Sequence, residues 1–211
     1  RYGVTHGASG QPECLAPSAS GRATMRFCSQ CGAERIEFKV PTGDNRERHV
    51  CVVCETVFYD NPRIVAGTLP VWEDQVLLCR RAIEPRYGLW TLPAGFMENA
   101  ESTQDAAARE TLEEANARVE DLRLYSVFNL PHVNQVYMMF LARLADLDFS
   151  AGPESLEVRL MREEEIPWED LAFSTIHHTL KHFFSDRGRD EYPVRTGDIL
   201  RGPGGGRFVP R

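Results

Sequence analysis

Long apolar runs are missing from this 211-residue chain. Its longest apolar stretch, Ile64 to Trp72, falls far short of the ~20 residues a membrane helix needs, and no charged-then-apolar leader precedes a small-residue cleavage site. Neither a membrane span nor a secretory signal is expected, and a cytoplasmic location is the expectation that follows. Positive charge is short as well: 24 Lys and Arg face 31 Asp and Glu, for a net charge of −7 and a pI near 5.4. A broad basic face for nucleic acid or anionic lipid is therefore lacking, and nucleic acid is not an expected partner. No repeat at solenoid or propeller spacing is present. At 42% apolar content, and with about 150 residues to a domain, the chain can build one domain with its own core plus a small appendage.

Both ends are poor in periodic apolar residues. Residues 1–24 begin with Arg, are rich in Ser, Ala, Gly and Pro, and are expected to be a disordered extension. Met25 reads as a natural start, which makes the preceding segment an added extension; a weak organelle transit peptide is the alternative. From Arg187 to Arg211, four glycines (Gly202, Gly204, Gly205, Gly206) and Pro193, Pro203 and Pro210 predict a flexible tail.

Between the ends the chain changes character near the turn-type cluster Asp60-Asn61-Pro62, giving a small segment over 25–62 and a larger one over 63–186. In the larger segment, Ile64 to Trp72 and Gln75 to Arg80 read as strands joined at Glu73-Asp74. Thr103 to Ala115 reads as a helix, Leu122 to Phe128 and Val133 to Leu144 as strands, and Ser174 to Phe184 as a second helix. The expected class is α+β, a mixed sheet with helices packed on it.

The small segment holds Cys28-Ser-Gln-Cys31 and Cys51-Val-Val-Cys54, the two-knuckle spacing of a four-thiolate zinc site. Four protein ligands close such a site, so the zinc is expected to be structural; a pair of disulfides is the alternative. Gly32 follows the first knuckle, where a positive φ is often needed. Arg26, Arg35, Lys39, Arg46 and Arg48 meet Glu34, Glu37, Asp44, Glu47, Glu55 and Asp60, so the ribbon carries no basic stripe, and a scaffold or dimer-forming role is favoured over nucleic-acid reading. Cys79, in the apolar run Val76 to Cys79, reads as a buried small residue.

The larger segment carries Glu110, Glu113 and Glu114 at i, i+3 and i+4, which places three carboxylates on one helix face. Like charges at these spacings destabilise a bare helix by a few tenths of a kcal/mol per pair. The cluster makes sense if a cation neutralises it, and hard oxygen ligands suit Mg²⁺ or Mn²⁺. A solvated acidic face is the bland alternative.

The stretch from Gly95 to Ala117 resembles the Nudix box: Gly95, Glu101, Arg109, Glu110, Glu113 and Glu114 occupy six of its seven fixed positions. Asn116 stands at the final glycine, where Asn best tolerates left-handed geometry, and Thr111 stands at an apolar position, where it is expected to soften helix packing. The resemblance implies a Nudix α/β/α sandwich with a mixed sheet, preceded by a small zinc ribbon. It implies Glu110 and Glu114 as main metal ligands, Glu113 as a further ligand or base, the Gly95 carbonyl as another ligand, and Arg109, paired with Glu101, as the group that orients the glutamates. The reaction implied is metal-dependent phosphoanhydride hydrolysis of a small nucleoside diphosphate derivative. A base from outside the box is expected at Glu154 or Glu157, and a homodimer is implied.

Zinc-ribbon Nudix NADH pyrophosphatases and RNA NAD-decapping enzymes carry a Ser-Gln-Pro-Trp-Pro-Phe-Pro-type motif after the box, whereas this chain reads Tyr125-Ser-Val-Phe-Asn-Leu-Pro-His-Val-Asn-Gln135. The segments Asp60-Asn-Pro62, Leu78-Cys-Arg-Arg81, Gly88 to Gly95, Gly152-Pro-Glu-Ser-Leu-Glu157 and Leu171-Ala-Phe-Ser174 instead resemble plant chloroplast Nudix hydrolases of FAD and ADP-ribose and their bacterial relatives. Arg81 for phosphate, and Trp90 and Phe96 for a planar ring, are the expected substrate contacts, drawn from a pool that also includes Tyr125, Phe128 and Tyr137. NADH or NAD-RNA hydrolysis, and a ribbon-bearing binding module with an inactive domain, are the alternatives.

Overall fold

The computed structural model describes residues 25–189, 191–202 and 205–211. The expected extension over 1–24 lies outside the described residues. The chain divides into two units between Asp60 and Asn61.

In the first unit, β1 (Ile36–Lys39), β2 (Arg48–Cys51) and β3 (Val57–Phe58) form an antiparallel sheet in that order. Gly32 (φ 74°) and Glu55 (φ 59°) each follow the second cysteine of a knuckle. Both adopt the left-handed turn that swings the chain back over the sulfurs.

The second unit opens with the hairpin read from the apolar runs, β4 (Arg63–Trp72) and β5 (Gln75–Arg81). The short β6 (Trp90–Thr91) pairs with β5 and β7 (Ala94–Phe96) with β4. There follow α1 (Thr103–Ala115), β8 (Val119–Leu130), β9 (Gln135–Leu144), β10 (Ser155–Met161), α2 (Ser174–Arg187), β11 (Arg195–Gly202) and β12 (Gly205–Pro210). The main path of the sheet is β10-β5-β4-β9-β8-β11-β12. It is mixed, because β9 runs parallel to β4 and β11 parallel to β8.

Strand alternation sends successive side chains to opposite faces. On one face Ala66 and Phe140 meet Ala106 and Ala107 of α1. On the other, Leu69, Tyr125, Met139 and Leu141 pack with Ile176, Leu180 and Phe183 of α2. The sheet is thus covered on both sides, as the α/β/α expectation required. Among the described residues no helix is long and apolar enough to cross a membrane.

The C-terminal residues correct the sequence reading. Arg187 to Arg211 were expected to be a flexible tail, yet β11 and β12 extend the sheet, with Arg195 to Asp198 in register with Ser126 to Asn129. Glycine content argues for chain entropy, but three anchors outweigh it. Ile199 is buried, Phe208 lies 5.4 Å from Phe128 and 4.5 Å from His178, and Arg195 pairs with the fully buried Asp186. Asp186 also accepts from the Tyr125 hydroxyl at 2.8 Å and from Arg189 at 2.8 Å. Burial pushes its carboxyl up, but these hydrogen bonds outweigh burial and hold it below the ordinary value.

Candidate active site

The four cysteine sulfurs converge within 4.8 Å of one another, with Cys28 to Cys54 and Cys31 to Cys51 each at 3.6 Å. Tetrahedral zinc with bonds of ~2.3 Å needs sulfurs about 3.8 Å apart, whereas a disulfide needs ~2 Å. The tetrad fits zinc and not disulfides. The Thr56 hydroxyl and backbone pull the Cys54 thiol down, while its neighbouring thiols push Cys31 up, as expected of four sulfurs sharing one site. Cys79 is buried, as read from the sequence, and burial pushes its thiol up.

The carboxylate helix starts and ends cleanly. Ser102 and Asp105 form a capping box at its N-terminus. Asn116 caps the other end in the left-handed region (φ 47°), donating its N–H to the Leu112 carbonyl at 2.8 Å, so the cap survives the glycine-to-asparagine departure. Thr111 does not loosen the helix. It is fully buried, donates to the Ala107 carbonyl at 2.7 Å and lies 2.6 Å from the Thr68 hydroxyl of β4.

One guanidinium organises the acidic side chains. Arg109 Nε and Nη2 bind the two Glu101 carboxylate oxygens at 3.0 and 2.9 Å, Nη2 also donates to the Phe96 carbonyl at 3.2 Å, and Nη1 reaches Glu110 at 2.8 Å and Glu113 at 3.1 Å. The expected Arg109–Glu101 pair is therefore present and bidentate. Gly95 lies against Glu110: a Cβ there would come within 2.3 Å of the carboxylate. A side chain at Gly95 would have to push the Glu110 carboxylate out of this position.

Glu114 is the most constrained of the three. It is 7% exposed and its Oε2 is buried with no partner among the described residues. Burial, reinforced by the Glu110 and Glu154 charges, pushes its carboxyl up to about 8, against the pull of Arg81 and the Ala94 N–H. Burial and the Glu113 and Glu154 charges also raise Glu110, with Arg109 opposing. Glu110 thus feels the charges of Glu113 and Glu154, Glu114 feels those of Glu110 and Glu154, and a buried Glu114 oxygen lacks a partner among the described residues. This is the pattern that a hard divalent cation relieves, with carboxylate and carbonyl oxygens as ligands.

The structure separates the two outside candidates. Gly152 packs under the end of α1, its N–H donating to the Glu114 carbonyl at 3.0 Å, and a Cβ there would sit 1.8 Å from the Glu113 carbonyl. That contact carries Glu154 to the carboxylates. Glu157, further along β10, lies 3.8 Å from Arg159 on a side chain that is about half exposed, and is not among the main charges acting on Glu110 or Glu114. The sequence placed Gly152 in the segment that carries Glu154, but its packing beneath α1 could not be read from the chain alone.

Trp90 requires correction as a ring platform. It is 8% exposed and packs in the core shared with α2, so its face is taken. Tyr125 and Phe128 are likewise buried. Phe96 is exposed, with the Arg63 guanidinium 5.5 Å over its ring, and Arg81 lies within electrostatic reach of Glu114. Phe173, not singled out by the sequence, meets Arg81 at 5.1 Å.

The NUDIX domain family matches residues 61–184, and the family described as Nudix N-terminal, a zinc ribbon, matches residues 26–60. The chain belongs to the Nudix family. A NUDIX hydrolase from Nitrosomonas europaea is 54% identical, superimposes with a TM-score of 0.81, and covers 84% of this chain and 100% of its own. NAD-capped RNA hydrolase NudC of Edwardsiella ictaluri is 31% identical over 63% of this chain and 49% of its own length. This Nudix chain therefore spans about half the length of the curated relatives it matches. A bifunctional NMN adenylyltransferase/ADP ribose pyrophosphatase from Francisella tularensis, complexed with AMP and Mn ion, shares the fold at 21% identity and a TM-score of 0.52, over 62% of this chain and 42% of that one. Nudix enzymes use a divalent metal, and the carboxylate cluster is the part of this domain chemically suited to one.

Proposed function

We propose that this Nudix domain is a divalent-metal-dependent pyrophosphatase that hydrolyses a nucleoside diphosphate linked to a second moiety, with FAD (to FMN and AMP) and ADP-ribose as its substrates. The observation that carries the reading is the buried, unpartnered oxygen of Glu114 among the like charges of Glu110 and Glu154. Glu110, Glu113 and Glu114 would hold Mg²⁺ or Mn²⁺, with the Gly95 carbonyl as a further oxygen. When bound, the cation supplies Lewis-acid polarisation of the diphosphate and lowers the pKa of water.

The chain's own residues do the rest. Arg109 holds Glu110 and Glu113 in one orientation and keeps Glu101 beneath them. Glu154, delivered by the Gly152 turn, accepts the proton from the water that attacks phosphorus, and the bridging P–O bond breaks with its electrons passing to the leaving phosphate. Arg81 meets phosphate charge and the exposed Phe96 ring takes a planar group. In the ribbon, Cys28, Cys31, Cys51 and Cys54 hold a structural zinc. The working form is a cytoplasmic homodimer.

Hydrolysis of NADH or NAD-capped RNA is the second reading, favoured by the name of the Edwardsiella relative. The absent motif over Tyr125 to Gln135 and the lack of a basic stripe weigh against it. The test is product analysis with Mg²⁺ or Mn²⁺ and, separately, FAD, ADP-ribose, NADH and NAD-capped RNA. Preferential release of AMP and FMN from FAD, or of AMP and ribose phosphate from ADP-ribose, is expected. Cleavage of NADH or NAD-capped RNA alone moves the substrate to the second reading, and no cleavage of any overturns the hydrolase in favour of a binding module.

A further inference from the structure

Arg81 is anchored by the protein without being neutralised by it. It closes β5, and its backbone is pinned both ways: its N–H donates to the Leu89 carbonyl at 2.9 Å, and its carbonyl accepts from the Gly88 N–H at 2.9 Å. The side chain is held twice more. Nε donates to the Pro85 carbonyl at 3.0 Å, and the guanidinium lies 5.1 Å over the ring of Phe173, the residue that opens α2. Among the described residues its two terminal nitrogens make no ion pair or hydrogen bond. Arg109 differs, since both of its terminal nitrogens are taken by carboxylates and a carbonyl.

A guanidinium is planar, with five N–H donors in a rigid fork. With Nε and one face occupied, the edge that remains is the one that grips two phosphate oxygens at once. Fixing the side chain beforehand removes rotamer entropy that binding would otherwise cost. Arg81 lies opposite Ser155 of β10, and the neighbouring Ala82 N–H donates to the Glu154 carbonyl at 2.8 Å, which seats Arg81 beside the segment that carries Glu154.

We propose that Phe173 is a positioning residue for diphosphate binding: together with the Pro85 carbonyl it holds the Arg81 guanidinium so that its terminal nitrogens grip one phosphate of the substrate. The inference rests on the diphosphatase reading and extends it to the ring of the residue that caps α2, which touches no phosphate. Such a clamp acts on bound substrate and transition state alike, so its loss appears in KM more than in kcat.

The test compares Phe173→Leu, Phe173→Tyr and Arg81→Lys with the wild type. Three readouts are needed: steady-state kinetics on FAD or ADP-ribose, calorimetric Kd for inorganic pyrophosphate with Mg²⁺ present, and thermal melts. Phe173→Leu is expected to raise KM and the pyrophosphate Kd together by about tenfold, with kcat changed less than about threefold. Phe173→Tyr, which keeps the ring face, is expected to restore both. Arg81→Lys, which has neither fork nor Nε, is expected to weaken binding at least as much and serves if Phe173→Leu does not fold. Unchanged KM and Kd in the folded variants overturn the inference. If the wild type cleaves no diphosphate but the Kd still depends on Phe173, the clamp stands and the hydrolase reading falls.

Discussion

The Thr68 hydroxyl donates its proton to Thr111, and not the reverse. Thr111 already donates to the Ala107 carbonyl, which accepts only, so its oxygen must be the acceptor in the 2.6 Å contact with Thr68. The direction makes the two threonines unequal. Thr111→Val strands a fully buried donor on β4 and is expected to cost about 1–3 kcal/mol. Thr68→Val leaves Thr111 its carbonyl and is expected to cost about 1 kcal/mol or less. The double variant, with two methyls facing each other, is expected to recover most of the Thr111→Val loss. Urea unfolding of the three variants checks this, and equal losses from the two single changes would refute the assigned direction.

Glu114→Gln removes a proposed ligand while keeping shape. The fold is expected to survive, because Glu114 is raised by burial and a neutral amide suits that place better than a charge. Turnover is expected to fall by about 10³-fold or more, together with the gain in Tm on adding Mn²⁺. Near-wild-type turnover would remove Glu114 from the site.

Asp186 predicts an acid limb of stability. Its folded carboxyl lies below the ordinary value, so it stabilises the fold above the unfolded value of ~3.9 and loses that contribution as pH falls through the folded one. Asp186→Asn is expected to cost about 3 kcal/mol at neutral pH. The gap to wild type should narrow below about pH 4. Melting curves at pH 7 and pH 3 decide it: a gap that stays constant would mean the carboxylate's charge is not what matters.

Cys51→Ser removes one of four converging sulfurs, and Cys51 is fully buried. Bound zinc, measured by atomic emission on the dialysed protein, is expected to drop below stoichiometric with loss of ribbon structure. Zinc content equal to wild type would exclude the four-thiolate site.

What could be read ahead depended on distance along the chain. The β4–β5 hairpin and α1 follow from local periodicity and appear within a residue of the expected bounds. The three box glutamates share a face because helical spacing alone puts them there. By contrast β6 and β7 are too short to show a period, and β11 exists because Arg195 to Asp198 find β8 some seventy residues back. Site details split the same way. The Arg109–Glu101 pair lies within one loop and helix turn, whereas the packing of Gly152 beneath α1, which brings Glu154 close, and the fate of Trp90 in the core shared with α2 depend on distant parts of the chain.

The parallel pairing of β11 with β8 also sets an order of assembly. During synthesis Asp186 emerges before Arg195, and β8 long before the strand that covers its edge. Until β11 has been made, the domain carries a carboxylate without the Arg195 guanidinium and an open β8 edge able to pair with a neighbouring chain. A chain cut short of β11 is therefore expected to associate through the bare β8 edge while keeping the carboxylate helix, whose caps and β4 contacts all come from earlier residues.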